Sequence, residues 1–235
     1  MTTASTPQVT AERFAQGRSF RDWVTYIGSA DNLNRPGVGF NGSVRGDYKA
    51  WVQSFFDSFH LADYQVQALQ DLAARPNGPA KVLVIAECWS SDSRRETPTV
   101  ARIAEAAGME LRIFNRDSLD SKEPSPADAS EQAGNGDLMH QFVNHKNGQD
   151  WLSIPVAAFF TKDMQYLYHF TEYAAIYKKD EYIPRVRGPI AGDTPEQAAA
   201  RIKAFVAFQD SPYFRVWADA SVDEIITGLW DAVTR

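Results

Sequence analysis

Cysteine is almost absent from this chain of 235 residues, because Cys88 is the only one. A single cysteine excludes a disulfide within the chain and a zinc site built from several thiolates. Histidine is scarce as well, and the spacing of His60, His140, His145 and His169 matches no metal-binding motif. We therefore expect no metal site.

Two other features are missing from the sequence. There is no excess of positive charge, because 24 Lys and Arg residues face 30 Asp and Glu residues and the net charge is -6. Such a balance gives no general attraction to phosphate backbones, so we expect no nucleic-acid partner. Long apolar runs and a leader peptide are also lacking, so we expect no membrane span and a cytoplasmic location.

The composition is that of a globular protein, with 44% hydrophobic and 12% aromatic residues. The length favours one domain with additions. We predict one compact unit with three parts: an N-terminal helical extension packed on the core over 1–79, a core over 80–182 with an acidic insertion at 117–137, and C-terminal helices over 183–235.

Periodic apolar residues predict helices in both flanking parts of the chain. In the N-terminal part the pattern covers residues 19–27, 51–59 and 64–72. In the C-terminal part, capping-box patterns at Thr194–Gln197 and Ser221–Glu224 predict the starts of two further helices.

Two segments lack such periodicity. The glycine-bearing segment 32–46 is too long for a simple connector, and both a functional loop and a surface crossing stay open. Residues 117–137 contain mostly acidic charge with Lys122 as the one base, so we expect a solvated excursion.

The core begins with the apolar run Val82–Ala86, which is typical of a strand covered on both faces. A helical pattern follows, ended by Gly108, and a second strand at Leu111–Phe114 would complete a β-α-β unit with parallel strands. Two later runs, 155–160 and 166–170, predict a β-hairpin.

The residues with chemical potential lie where the first strand meets this helix, in the stretch Glu87–Pro98. An N-terminus of a helix favours negative charge. This stretch resembles the active-site region of the thioredoxin-like superfamily, in which a tryptophan precedes Cys-x-x-Cys at the start of a helix. Trp89 matches the tryptophan, Pro98 matches the helix proline, and Ser90 and Ser93 fall on the two cysteine positions.

The likeness is greatest to a bacterial thioredoxin family of the Glu-x-Trp-Cys-Gly-Asp type, through Glu87, Trp89 and Asp92, and continues through Asn115-Arg116-Asp117. Ile154-Pro155 resembles the loop with the family's cis-proline, which faces the active site. The resemblance covers about residues 80–178. It implies an α/β thioredoxin-like fold, a β-α-β unit plus a β-hairpin and helix, with extra N- and C-terminal helices.

The departures from the family bear on function. Thiol–disulfide exchange needs an attacking thiolate and a resolving thiol, and a serine hydroxyl without an activating base does not replace them. We expect a redox-inactive protein that acts as a binding or chaperone-like module. Cys88 lies off both reactive positions, and we expect it to be a small buried hydrophobic residue rather than a reactive thiol.

The candidate catalytic residues are Ser90 and Ser93. The candidate binding residues are Trp89, Asp92, Arg94, Arg95, Ile154 and Pro155. Simpler interpretations stand beside these: Ser93–Glu96 forms a capping box, and Arg94 and Arg95 are expected on a solvated helix face, unless they hold an anion. A Ser-His-Asp hydrolase has no Gly-x-Ser-x-Gly motif to support it.

Two enzymatic alternatives stay open. In one, the helix N-terminus binds a thiol such as glutathione, or another anionic co-substrate, in a thiol-dependent transferase. In the other, a native cysteine at position 90, or cysteines at both 90 and 93, have been replaced by serine, and the native protein is a thiol–disulfide oxidoreductase. The partner would be a protein or a small thiol or anionic ligand, with no other cofactor, and the oligomeric state stays open.

Overall fold

A four-stranded sheet lies at the centre of the molecule, in the strand order Glu110–Asn115, Lys81–Ala86, Val156–Phe160 and Tyr166–Thr171. A computed structural model describes residues 6–35, 45–117, 135–146, 148–178 and 192–235. The strands are β1 (Lys81–Ala86), β2 (Glu110–Asn115), β5 (Val156–Phe160) and β6 (Tyr166–Thr171), and a separate small hairpin contains β3 (Asn144–Lys146) and β4 (Gln149–Trp151).

Helices surround this sheet. The helices are α1 (Ala11–Ala15), α2 (Phe20–Ile27), α3 (Ala30–Leu33), α4 (Lys49–Ser58), α5 (Asp63–Ala73), α6 (Ser91–Ala107), α7 (Gly136–Met139), α8 (Pro195–Gln209) and α9 (Pro212–Thr234). Short 3-10 turns follow at His140–Phe142 and Ala175–Tyr177.

The β-α-β unit and the hairpin predicted from the sequence are confirmed. β1 pairs with β2 in parallel, with Val84 opposite Ile113. β5 runs antiparallel to both β1 and β6. The connecting helix α6 ends at Gly108, whose φ of 67° is a left-handed conformation that glycine adopts without strain.

The alternation of side chains along β1 divides the core into two layers. On one face, Val82 and Val84 pack in a cluster with residues of α2, α4, α5, α6 and α9. On the other face, Leu83 and Ile85 pack with residues that include Phe14 and Phe142. The apolar run of β1 is thus covered on both sides, as its composition predicted.

The flanking helices follow the apolar periodicity with one exception. α2, α4 and α5 lie where the pattern placed them, and Thr194 caps α8 with a complete capping box. The second predicted start, at Ser221, is wrong, because α9 begins at Pro212 and passes through Ser221. The Ser221 hydroxyl donates to the carbonyl of Trp217 inside the helix.

The two irregular segments lie largely outside the described residues, which exclude 36–44 and 118–134. At the ends of the acidic segment that the structure describes, two aspartates form ion pairs with arginines. Asp117 is buried in a cluster with arginines, and Asp137 forms an ion pair with Arg13 at 2.8 Å. Contrary to the expectation of a solvated excursion, Asp117 is therefore part of the folded core.

Candidate functional site at the start of α6

The turn between β1 and α6 brings the two serines to the start of the helix. Ser90 is the N-cap, and its hydroxyl accepts a hydrogen bond from the backbone N–H of Ser93 at 3.3 Å. Ser93 is fully buried, and its own hydroxyl accepts from the backbone N–H of Glu87 at 3.4 Å. Both hydroxyls thus satisfy backbone donors, which is the ordinary role of serine at a helix N-terminus.

Ser90 therefore caps α6, and the predicted capping box from Ser93 to Glu96 is wrong. The two possible N-cap positions, Ser90 and Ser93, are three residues apart, and serine caps helices well at either one. The sequence pattern alone does not distinguish them. In the structure Glu96 does not complete a capping box, because its side chain is directed into the protein interior and pairs with Arg95.

Cys88 lies before the helix and is inaccessible. Its exposed fraction is 1%, and the side-chain amide of Asn32 donates to its Sγ atom at 3.5 Å. Burial raises the pKa of the Cys88 thiol, and the neighbouring Glu87 carboxylate adds to the rise. These surroundings favour the neutral thiol, the form that is a weak nucleophile.

Trp89 is partly exposed and is fixed by polar contacts. Its indole N–H donates to Asp117 Oδ2 at 2.8 Å, and the guanidinium of Arg116 lies 5.3 Å from the centre of its ring. Arg116 also donates to Asp117 Oδ1 at 2.7 and 2.9 Å and to the carbonyl of Leu152 at 2.8 Å. Arg116 thus connects the tryptophan to the segment that precedes β5.

That segment contains Ile154 and Pro155, both buried, joined by a cis peptide bond. The carbonyl of Pro155 accepts from the backbone N–H of Glu172 at 2.8 Å. Its connection to the α6 turn passes through the Arg116 contact with Leu152. The structure therefore links Trp89 with Ile154 and Pro155, which sequence reasoning proposed as parts of one binding surface.

Glu87, a motif residue that was not among the candidate binding residues, is the centre of a buried ionic cluster. Its carboxylate accepts two hydrogen bonds from Arg35 and one from Arg45, each at 3.1 Å, and one from the backbone N–H of Asp117 at 2.9 Å. Arg45 also reaches Asp117 Oδ2 at 3.4 Å. We call Arg35, Arg45, Glu87, Arg116 and Asp117 the Glu87 cluster.

The pKa values of the two carboxylates of the cluster are shifted in opposite directions. Burial and the nearby Asp117 raise the pKa of Glu87, although Arg35 and Arg45 oppose the rise. Burial would also raise the pKa of Asp117, but Arg116 and the Trp89 indole hold it below its usual value. Asp117 is therefore the group that stays ionised most firmly, which strengthens its hydrogen bond from Trp89.

Arg94 is buried, with an exposed fraction of 4%, and its guanidinium is already occupied. It donates to the carbonyls of Cys88 and Trp89 at 2.9 and 3.0 Å and to the side chain of Gln209 in α8. It also stacks on the ring of Tyr48, 3.9 Å from the ring centre. Burial lowers the pKa of Arg94, yet these dipoles and the aromatic ring replace water around the cation.

Arg95 is fully buried between α6 and α9. Its Nε donates to Glu96 at 2.5 Å and its terminal nitrogen lies 3.5 Å from Asp92. The rings of Tyr177 and Phe214 lie within 4.9 Å of its guanidinium carbon. The expected solvated face of Arg94 and Arg95 is wrong, because residues of α8 and α9 cover this side of α6.

Of the predicted site residues, Trp89, Ser90, Ile154 and Pro155 lie around the turn, whereas Asp92 and Arg95 face the interior beside Glu96. The charged residues at the turn that were not named as candidate site residues are those of the Glu87 cluster. A signal existed, since Glu87 and Arg116-Asp117 directly follow the two apolar strands, and the ends of adjacent parallel strands meet. Arg35 and Arg45 gave no comparable signal.

Other kinds of site find little support. Among the described residues, no group of three or more His, Cys, Asp and Glu side chains could hold a metal ion. The hydrogen bonds of Ser90 and Ser93 given above join them to backbone groups and not to a histidine. In the described part of the chain, no helix is both long and apolar enough to traverse a bilayer.

Comparison with known proteins agrees with this fold. A family model described as thioredoxin matches residues 44–122, which include β1, the α6 turn and β2. The chain contains a thioredoxin-like domain. The thioredoxin-like assignment rests on this match together with the fold, and no curated protein matches the chain significantly.

Two solved structures are similar over nearly the whole chain. One is a crystal structure of a protein of unknown function from Pseudomonas aeruginosa, with 15% identity and a TM-score of 0.54. The other is an HIV epitope scaffold, with 14% identity and a TM-score of 0.51. Each match covers 95% of this chain and 99% of the other. At these identities the likeness concerns the fold alone.

Proposed function

We propose that this thioredoxin-like protein binds a partner without carrying out thiol–disulfide exchange. The observation that carries the proposal is the chemistry at the start of α6. Ser90 and Ser93, on the two positions that the resemblance gives to cysteines, are engaged with backbone donors. The only sulfur nucleophile, Cys88, is 1% exposed and has a raised pKa.

The proposed binding surface is centred on the partly exposed Trp89 ring, and the buried Ser90 and Ile154-Pro155 segment adjoin it. A partly exposed aromatic ring that is held in place loses little entropy when a ligand packs on it. Polar contacts to Asp117 and Arg116 hold the Trp89 ring in this way. The partner we propose is a protein segment or a small ligand that packs on this ring. Binding of protein segments in this way would be a chaperone-like role.

The test is the reduction of insulin disulfides by dithiothreitol, followed by turbidity. We expect the wild-type protein to give the rate of the blank. The double variant S90C/S93C restores both thiols and should accelerate the reaction, whereas S91C, with a single thiol at a neighbouring position, should not. Catalytic turnover by the wild-type protein would refute the proposal.

A transferase-like enzyme that binds a thiol is the second candidate, because Ser90 stands at the N-terminus of a helix of 17 residues. The contacts of Arg94 and Arg95 weaken it, since both guanidinium groups are already occupied. Glutathione should therefore leave the melting temperature unchanged. A rise that S90A abolishes would favour the transferase, because a ligand that binds only the folded state must stabilise it.

A further inference from the structure

Glu87 occupies a central place between the two halves of the proposed binding surface. It follows β1 directly, is fully buried, and receives hydrogen bonds from Arg35, Arg45 and the backbone of Asp117. A fixed backbone at Asp117 fixes the start of its side chain. The Asp117 carboxylate in turn accepts from the Trp89 indole.

The same cluster reaches the segment before β5. Arg116 binds the Asp117 carboxylate with two nitrogens and the Leu152 carbonyl with a third. Glu87 is thus connected to Trp89 through Asp117. It is connected to the backbone that precedes Ile154 and Pro155 through Asp117 and Arg116.

The energetics favour a positioning role over a stabilising one. A carboxylate buried with arginines contributes little net stability compared with apolar residues of the same size, because both charges lose their hydration. Such a cluster does define geometry, since each hydrogen bond has a preferred direction and a bidentate guanidinium contact has two. Glu87 and Arg35 make a contact of this bidentate kind.

We propose that Glu87 is the positioning residue of this surface, and that it sets the place of the Trp89 ring relative to the Ile154-Pro155 segment through Asp117 and Arg116. The proposal rests on the proposed function for its biological meaning. The geometry it asserts can be measured without any ligand.

The experiment follows the indole N–H of Trp89 by NMR in the full chain, with W89F used to assign the signal among the six tryptophans. In E87Q one acceptor oxygen becomes a donor that faces Arg35 or Arg45. We expect the Trp89 signal to move and its hydrogen exchange to accelerate about tenfold or more, because the Asp117 carboxylate that accepts from the indole is no longer held in position. The other indole signals should stay in place.

E105Q is the matched control, because Glu105 also pairs with an arginine of the same helix, Arg102, but at the surface. It should leave the Trp89 signal unchanged. If E87Q fails to fold, D117N breaks the same connection one step later and should move the same signal. R116K should shift the amide signals of Ser153 and Ile154, because its amine cannot reproduce the contacts of the guanidinium.

A folded E87Q whose Trp89 signal and exchange rate equal those of the wild type would overturn the proposal. So would an equal change of all indole signals, which is the result of a purely structural role. Catalysis of insulin reduction by the wild type would refute the proposed function but leave these measurements intact, so the two failures are distinguishable.

Discussion

At the scale of single residues, the carboxyl group of Glu96 has the most unusual surroundings outside the Glu87 cluster. It is fully buried, and Asp92 and Arg95 of its own helix are the charged groups beside it, with the Ser221 side chain of α9 nearby. Burial raises the pKa of Glu96 to about 7, although Arg95 opposes the rise. The folded protein therefore holds the proton of Glu96 more tightly than the unfolded chain does.

The sign of the pH dependence follows from this difference. A raised pKa in the folded state gives stability that is complete below the unfolded value near 4.5 and is lost as the pH rises through 7. We expect the free energy of unfolding to fall by about 3 kcal/mol across this range. E96Q should remove that part of the decrease, as measured by urea titrations at several pH values.

The pKa of Glu87 is also raised, but Glu87 is present in both the wild type and E96Q. The difference in pH dependence between these two proteins therefore isolates the contribution of Glu96. E105Q again serves as the surface control. An E96Q protein with the full pH dependence of the wild type would show that Glu96 is ionised throughout the range.

At the scale of elements, α9 packs tightly against the sheet at Gly228. A Cβ atom at this position would lie 2.5 Å from ring atoms of Tyr168 on β6. Alanine is favoured over glycine inside a helix by about 1 kcal/mol, whereas overpacking costs about 1–3 kcal/mol. We expect G228A to destabilise the protein by about 1 kcal/mol in urea unfolding, because the packing cost exceeds the helical gain.

A double-mutant cycle with Y168L gives the control, since a smaller side chain removes the collision. In that background G228A should be neutral or stabilising. If G228A stabilises the protein with Tyr168 present, then the ring moves aside at little cost and the close approach does not limit the packing of α9.

The elements differ in how well the sequence predicts them, for physical reasons. α4, α5, α6 and β1 have apolar residues at regular spacing, so the face they bury is visible in the sequence. The hairpin β3–β4 was missed because its residues are mostly exposed and show no such alternation. The false start at Ser221 arose because a serine within a helix can bond to a preceding carbonyl as easily as it caps a helix.

At the scale of the whole molecule, one apolar cluster joins all parts of the chain. Trp23 and Val52 of the N-terminal helices, Val84 of the sheet, and Phe214 and Leu229 of α9 belong to the same buried cluster. A shared core of this kind predicts cooperative unfolding, because no part can lose its contacts without exposing the others.

Neighbouring residues on α9 test this prediction. Leu229 is fully buried, whereas Trp230 is 53% exposed and lies under the guanidinium of Arg75. L229A should cost about 2–5 kcal/mol, and W230A about 1 kcal/mol or less. Tryptophan fluorescence and far-ultraviolet circular dichroism should give coincident transitions in both variants, and separate transitions would contradict a single cooperative unit.

The site was less predictable than the fold. Its serines and its tryptophan were found because they lie together in the sequence, next to a strand. The arginines were not, because Arg35 and Arg45 reach Glu87 from positions 52 and 42 residues away. Long-range ionic contacts of this kind leave no periodic trace, and the burial of Arg94 depends on α8, which is more distant still.

The concealment of Cys88 has one practical consequence. Because the thiol is the only one in the chain and is shielded at the centre of the candidate site, a thiol reagent can modify the protein only after that region opens. The rate of modification then measures how often this region opens locally. The native chain thus carries its own probe of site dynamics, with no label to introduce and no second thiol to confuse the signal.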